Sequence, residues 1–214
     1  MLKFHHAPWS RSSGMLWLLE ELGVDYELIH EDIRGQGGAP EEYRKIQPNK
    51  KVPAIEHDGV AITERPAITI YLADAFPRAG LAPAIGDADR GPYLSMLVYC
   101  AAVLDPCITA RARGMVYESN DFAFGLFDDM VAYLERILTE RRYAAGDRFT
   151  AADVQLASSI EFTMNVIKVL PVLPAFAHYL ARIGERPALV RAQQIDLELA
   201  KTTPFFQDQF RGQA

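Results

Sequence analysis

LKFHHAPWSRSSGMLWLLEELGVDYELIH, residues 2–30, changes its hydrophobic period twice. Leu2 and Phe4 alternate with Lys3 and His5, the pattern of a half-buried strand. Met15, Leu18, Leu19 and Leu22 then fall at helical spacing, and Gly23 stands where such a helix stops. VDYELIH, residues 24–30, reads as a second strand. Strand, helix and strand in about 30 residues form a βαβ unit, with parallel strands and a right-handed crossover. Between the first strand and the helix lie three serines in four positions, Ser10, Ser12 and Ser13. One serine suffices to cap a helix, so the other two ask for a different use.

Outward from this unit, residues 31–40 (EDIRGQGGAP) are glycine-rich and loop-like, and residues 40–48 (PEEYRKIQP) offer at most a short helix. VPAIEHDGVAIT, residues 52–63, is a hairpin pattern around Asp58-Gly59, the dipeptide favoured in a type I′ turn. A helix follows with Pro66 in its first turn and an apolar stripe at Ile68, Tyr71, Leu72 and Ala75. Residues 76–91 (FPRAGLAPAIGDADRG) have the texture of a linker. Beyond it the periodicity is helical throughout, as at Leu94, Leu97, Val98 and Ala101, or Met130, Val131, Leu134 and Leu138. Residues 151–162 (AADVQLASSIEF) are apolar around much of the circumference, which predicts a helix buried on several sides. Thr150 and Asp153 ahead of it form a capping-box pattern. The outline is a small α/β domain over 1–77, a linker over 78–88 and an all-helical domain over 89–214.

Half of the 214 residues are hydrophobic, enough for a sizeable core without staples. With 22 Lys+Arg against 28 Asp+Glu the net charge is −6, and no basic cluster is present to neutralise neighbouring phosphates, which argues against nucleic acid as a partner. The cysteines, Cys100 and Cys107, lack the spacing of a redox pair or a zinc site, which fits a reducing, cytoplasmic setting. His5 and His6 sit on the first strand with no second ligand pair at metal spacing, so no metal is expected. The N-terminus lacks the features of a signal peptide, and no apolar run reaches the roughly 18–20 residues that span a bilayer.

Four strings in this order, SRSSGMLWLLEELGVDYEL (10–28), YRKIQPNKKVPAIEHDG (43–59), ITERPAITIYLADAFP (62–77) and AAGDRFTAADV (144–154), resemble a cytosolic glutathione transferase of the bacterial type. The resemblance covers nearly the whole chain. It implies a thioredoxin-like N-terminal domain that binds glutathione and a helical C-terminal domain that shapes the pocket for a second substrate, usually in a homodimer. Glutathione would be a co-substrate, with no further cofactor.

A free thiol with a pKa near 8.5 is only about 3% thiolate at neutral pH, and lowering that pKa by two units is worth about 2.7 kcal/mol. A hydroxyl that donates to the sulfur at the positive end of a helix supplies this without carrying charge. Relatives place a catalytic Ser, Tyr or Cys in the loop after the first strand. Ser10 is nearest that position, Ser12 is its main rival and Trp9 also competes, while Ser12 or Ser13 is assigned to cap the helix. The resemblance further implies a cis Val52-Pro53 bond, with the Val52 backbone pairing to the glutathione cysteine like an added strand. Lys51 and Gln47 would reach the glycine carboxylate. In TERPA, Glu64 fits the family's acidic or amide residue that meets the γ-glutamyl amine, but Arg65 replaces its usual serine. With Pro66 as the first helical residue, Arg65 would be an N-cap with no acceptor to offer, a broken local rule that a bound carboxylate would explain. Tyr99, Leu104, Cys107, Arg111 and Met115 are candidates for the second-substrate pocket, two or three of them lining it and the rest core.

These features predict an enzyme that adds the glutathione thiolate to a small hydrophobic electrophile. The alternatives are a non-catalytic binding or regulatory module, kept open by Arg65, and a glutathione-dependent reductase or peroxidase. Disulfide reduction usually needs a cysteine in the opening loop, and residues 1–99 contain none.

Overall fold

The computed structural model describes residues 1–210. By contact density the chain forms two units, Met1–Tyr71 together with the chain from Arg186 onward, and Leu72–Glu185. The single helical domain expected over 89–214 is therefore divided near Arg186, for a reason visible in helix packing.

In the first unit, β1 (Leu2–His6) leads into α1 (Ser13–Leu22) and β2 (Glu27–His30). β1 and β2 are parallel, pairing Phe4 with Leu28. Gly23 closes α1 in the left-handed region (φ 62°), its amide donating to the Leu19 carbonyl. A 3₁₀ turn, Glu41–Lys45, is all that forms between β2 and the hairpin of β3 (Ala54–His57) and β4 (Val60–Thr63). Asp58 and Gly59 turn that hairpin with φ of 51° and 85°, both positive as a type I′ turn requires. β3 runs antiparallel to β1, and the sheet order is β2-β1-β3-β4. The helix α2 (Arg65–Ala75) follows. Its buried face is Ile68, Thr69, Leu72 and Ala73, whereas Tyr71 and Ala75 of the expected stripe are exposed.

The helix α8 (Pro187–Thr202) buries Ala188, Ala192, Asp196 and Ala200, one residue every four. Alanines at this spacing let it lie close against α1, and this packing assigns the chain from Arg186 to the first unit. The contact is fastened by Arg186, whose Nε and Nη2 donate to Glu21 Oε1 and Oε2 at 2.6 and 2.7 Å, with Trp17 Nε1 donating to the same carboxylate at 2.9 Å. The Glu21 side chain is only 7% exposed. Glu21→Ala is expected to cost about 1.5–3 kcal/mol, the range for hydrogen bonds to a charged group, measured by denaturant unfolding.

In the second unit a continuous helical run, Arg90–Ala112, is 23 residues long with a mean hydropathy of 1.5. Contrary to the expectation from sequence, it is long and apolar enough to span a bilayer by length and composition. It contributes one face to the core of this unit, and under half of its apolar stretch is buried. It comprises α3 (Arg90–Tyr99), a π-helical stretch (Cys100–Leu104) and α4 (Asp105–Ala112), the widened stretch lying just before Pro106, which cannot donate an amide. Tyr93, Met96, Leu97, Cys100, Leu104 and Cys107 are buried, so the inward face of α3 is displaced from the expected Leu94, Val98 and Ala101.

The helix α6 (Ala151–Glu161) is buried on nearly every side, as its composition predicts, and its Gln155 donates to the Leu97 carbonyl at 2.7 Å. The helix α7 (Pro174–Ile183) packs against it, and α5 (Phe127–Glu140) packs against α4 and α7. Thr150 and Asp153 form the capping box. Asp153 is fully buried and accepts from the Ala144 amide (2.7 Å), the Tyr179 hydroxyl (2.9 Å), the Thr150 amide (2.8 Å) and the Thr150 hydroxyl (3.2 Å). Burial pushes its carboxyl upward, and these donors pull in the opposite direction.

Candidate functional site

The serines occupy the loop that joins β1 to α1, and the fold separates their roles. Ser12 is the N-cap by position, its carbonyl accepting from the Met15 and Leu16 amides at 2.9 and 3.0 Å, but its side chain makes no capping bond. The expected capping by a Ser12 or Ser13 hydroxyl is thus not what forms. Ser13 Oγ instead accepts from the Ser10 amide at 3.3 Å. Ser12 is wholly buried, and its Oγ lies 2.7 Å from His6 Nδ1. The other ring nitrogen of His6, Nε2, is 2.9 Å from Asp196 Oδ1 on α8. A carboxylate only accepts, so Nε2 carries a proton and, in the neutral ring, Nδ1 accepts the Ser12 hydroxyl proton.

Ser10 is half-buried and meets the same network from the solvent side. Its Oγ is 2.8 Å from the Ala7 carbonyl, 2.8 Å from Ser12 Oγ, and accepts from the Ser12 amide at 3.1 Å. Ser12 Oγ is also 3.1 Å from the Ala7 carbonyl. Trp9, the third candidate for this position, takes φ of 52°, a costly conformation for a bulky residue. Its amide lies 3.4 Å from both Asp196 carboxylate oxygens, and its carbonyl accepts from Arg34 Nη2 at 3.2 Å. The indole packs edge-on against Phe206, with ring centroids 4.7 Å apart. Asp196 therefore ties down both the end of β1 and the strained turn that presents Ser10.

Across β3, the Val52-Pro53 bond is cis. Val52 packs on a small cluster around Ala39, Tyr43 and Ala54. Gln47 is buried, and its Oε1 accepts from the Asn49 and Lys51 amides at 2.7 and 3.1 Å, so this side chain shapes the loop before Pro53. The Lys51 side chain is exposed, while its carbonyl accepts from the Tyr43 hydroxyl at 2.9 Å.

At the start of α2 the first helical residue is Arg65, and Pro66 is the second. Glu64 is the residue that stands before the helix, with φ of 68° and its carbonyl accepting from the Ile68 amide at 2.9 Å. Arg65 is therefore not the N-cap, and the missing acceptor is no longer an anomaly. Its charge still sits in the first turn, against the helix dipole.

Of the candidates in the second unit, Leu104 and Cys107 are wholly buried, and burial pushes the Cys107 thiol up, away from nucleophile behaviour. Both cysteines are free thiols. Tyr99 is half-buried against Tyr133 (centroids 4.7 Å apart), and Arg111 and Met115 are exposed.

A family model for the glutathione S-transferase N-terminal domain matches residues 1–74, and one for the glutathione S-transferase C-terminal domain matches 117–191. The chain belongs to the glutathione S-transferase family. This transferase is 29% identical to glutathione S-transferase 3 of Schizosaccharomyces pombe over 75% of its own length and 73% of the relative's. It is 28% identical to glutathione S-transferase GstA of Escherichia coli O157:H7, over 87% and 94% of the two chains. A sphingomonad glutathione S-transferase solved in complex with glutathione superposes with a TM-score of 0.71, at 28% identity, over 91% of this chain and 98% of that one. The expected thioredoxin-like domain followed by helices is the fold that these matches share.

Sequence reasoning missed His6 and Asp196 as parts of this site. A signal for Asp196 is present: it interrupts an every-fourth-residue row of alanines, at 188, 192 and 200. An acid on such an apolar row needs a buried partner.

Proposed function

We infer that this transferase binds glutathione in its N-terminal unit and that Ser10 activates the thiol for attack on a small hydrophobic electrophile. The observation that carries the assignment is the contrast in exposure and bonding. Ser10 is half-buried at the mouth of the β1–α1 loop, whereas Ser12 is sealed beneath it with its hydroxyl on His6. A hydroxyl hydrogen bond to the charged sulfur favours the thiolate, and the start of α1 adds the positive end of a helix.

The remaining glutathione contacts are read by position. The Val52 backbone pairs with the cysteine of glutathione, Lys51 meets the glycine carboxylate, and Gln47 acts through the loop that it holds. Glu64 takes the γ-glutamyl amine and Arg65 the γ-glutamyl carboxylate. Tyr99, Arg111 and Met115, which keep exposed surface, are the contacts for the electrophile, with Leu104 and Cys107 as core behind them. The enzyme works in the cytoplasm as a homodimer, with glutathione as co-substrate and no metal.

Turnover of 1-chloro-2,4-dinitrobenzene with glutathione tests this reading. Retention on immobilised glutathione without turnover would instead favour the binding module. Arg65→Ala is expected to weaken glutathione binding by about 1.5–3 kcal/mol, and added salt should weaken the wild type more than the variant. Arg65→Ser returns a neutral donor but no N-cap, since Glu64 holds that place, so it should recover only part of the affinity. Calorimetric titration at two salt concentrations separates these outcomes, and unchanged or tighter binding by Arg65→Ala would remove Arg65 from the site.

A further inference from the structure

We propose that His6 is the base that receives the glutathione thiol proton, through Ser10 and Ser12, with Asp196 holding the resulting imidazolium. The proposal rests on Ser10 as the residue that meets the sulfur.

The hydrogen bonds of the loop have two complete arrangements, and they differ by one proton. With His6 neutral, Nε2–H donates to Asp196, the Ser12 hydroxyl donates to Nδ1 across 2.7 Å, and the Ser10 hydroxyl, 2.8 Å from both the Ala7 carbonyl and Ser12 Oγ, donates to one or the other of them. The Ser10 proton is then turned away from a ligand, and Ser10 Oγ can only accept from an S–H. With His6 protonated, Nδ1–H donates to Ser12 Oγ and Ser12 turns its own proton to the Ala7 carbonyl, 3.1 Å away. That carbonyl is then satisfied from below, and the Ser10 proton is released toward the sulfur. Donors and acceptors remain paired in both states, which a buried network requires.

Proton transfer links the two arrangements. The S–H bond breaks and its proton goes to Ser10 Oγ. The proton that Ser10 carried crosses 2.8 Å to Ser12 Oγ, and the one that Ser12 carried passes to His6 Nδ1. The electron pair stays on sulfur. Each serine ends with one hydroxyl proton, that of Ser10 facing the thiolate. The positive charge on His6 lies against the Asp196 carboxylate, whose side chain is 7% exposed. Titratable groups facing the ring are Asp196 from α8 and His30 from β2. Ser12 is wholly buried, so it reacts with no ligand itself and acts as the bridge.

The test is the proton balance of glutathione binding. Binding to the wild type is measured by calorimetry in buffers of different ionisation enthalpy, alongside the ultraviolet absorbance of bound thiolate. The expected result is thiolate formed with much less than one proton released per thiolate, because the proton stays in the protein. Release of one full proton per thiolate in the wild type overturns the proposal without any variant. Ser12→Ala, which removes one buried hydroxyl, and Asp196→Asn should displace the thiolate titration to alkaline pH by about one unit or more, a tenfold or greater loss at neutral pH. In each the remaining thiolate should appear with a full proton released. If Ser10→Ala displaces the titration while Ser12→Ala and Asp196→Asn, folded by circular dichroism, leave it in place, the relay is wrong and Ser10 alone acts. If Ser10→Ala also leaves it in place, the assignment of Ser10 falls, and the relay with it.

Discussion

Asp153→Ala is expected to lower the unfolding free energy by about 3–5 kcal/mol, the largest stability effect foreseen for a single substitution in this protein. The carboxylate gathers four donors, the Ala144 amide, the Tyr179 hydroxyl, and the amide and hydroxyl of Thr150. Ala144, Tyr179 and Thr150 are themselves buried, so water does not replace what the substitution removes. Each stranded buried donor costs roughly 1–3 kcal/mol. For a chain of this length such a loss corresponds to a drop in melting temperature of roughly 10 °C. Asp153→Asn keeps the shape and one acceptor oxygen but turns an NH₂ group toward donors, so it should recover only a small part. Thermal unfolding of the three proteins checks this, and an Asn variant that melts with the wild type would show that the charge is dispensable.

Ser10→Ala is expected to reduce kcat/KM at neutral pH by roughly 10- to 100-fold while the fold stays intact. Losing one hydroxyl donor to a charged sulfur forfeits about 1.5–3 kcal/mol, which is about one to two pKa units of the bound thiol. The sign is fixed by which form the bond favours. The donor stabilises the thiolate, so its loss raises the thiol pKa, and the rate lost at neutral pH returns as the pH rises. A pH profile of kcat/KM for wild type and variant measures the displacement. A variant that is slower by the same factor at every pH would show that Ser10 does not set the thiol pKa.

Locally determined features were legible in the sequence because few residues carry them. The βαβ unit follows from two changes of period, the left-handed end of α1 from Gly23, the hairpin from Asp58-Gly59, and the α6 capping box from Thr150 and Asp153. Each depends on backbone sterics or bonds within a few positions, so no distant partner alters it. The inward faces of α2 and α3 are different in kind. Their apolar residues fit more than one helical face, and only the neighbouring elements select Thr69 over Tyr71, or Tyr93 over Val98.

The serines show the same division at the site. Three of them before an apolar helix fix the helix start and the presence of hydroxyls there. Which hydroxyl faces solvent and which is sealed was decided by His6 and by Asp196, 190 positions further along the chain. Asp196 reaches His6 because the alanine row of α8 allows close packing on α1, a contact that no local pattern encodes. A buried histidine needs a partner for each ring nitrogen, and tertiary packing supplied the carboxylate for one and diverted Ser12 from capping to the other. The sequence by itself thus determined the elements and the kinds of group at the loop; the packing of α8 on α1 determined the order in which those groups are connected.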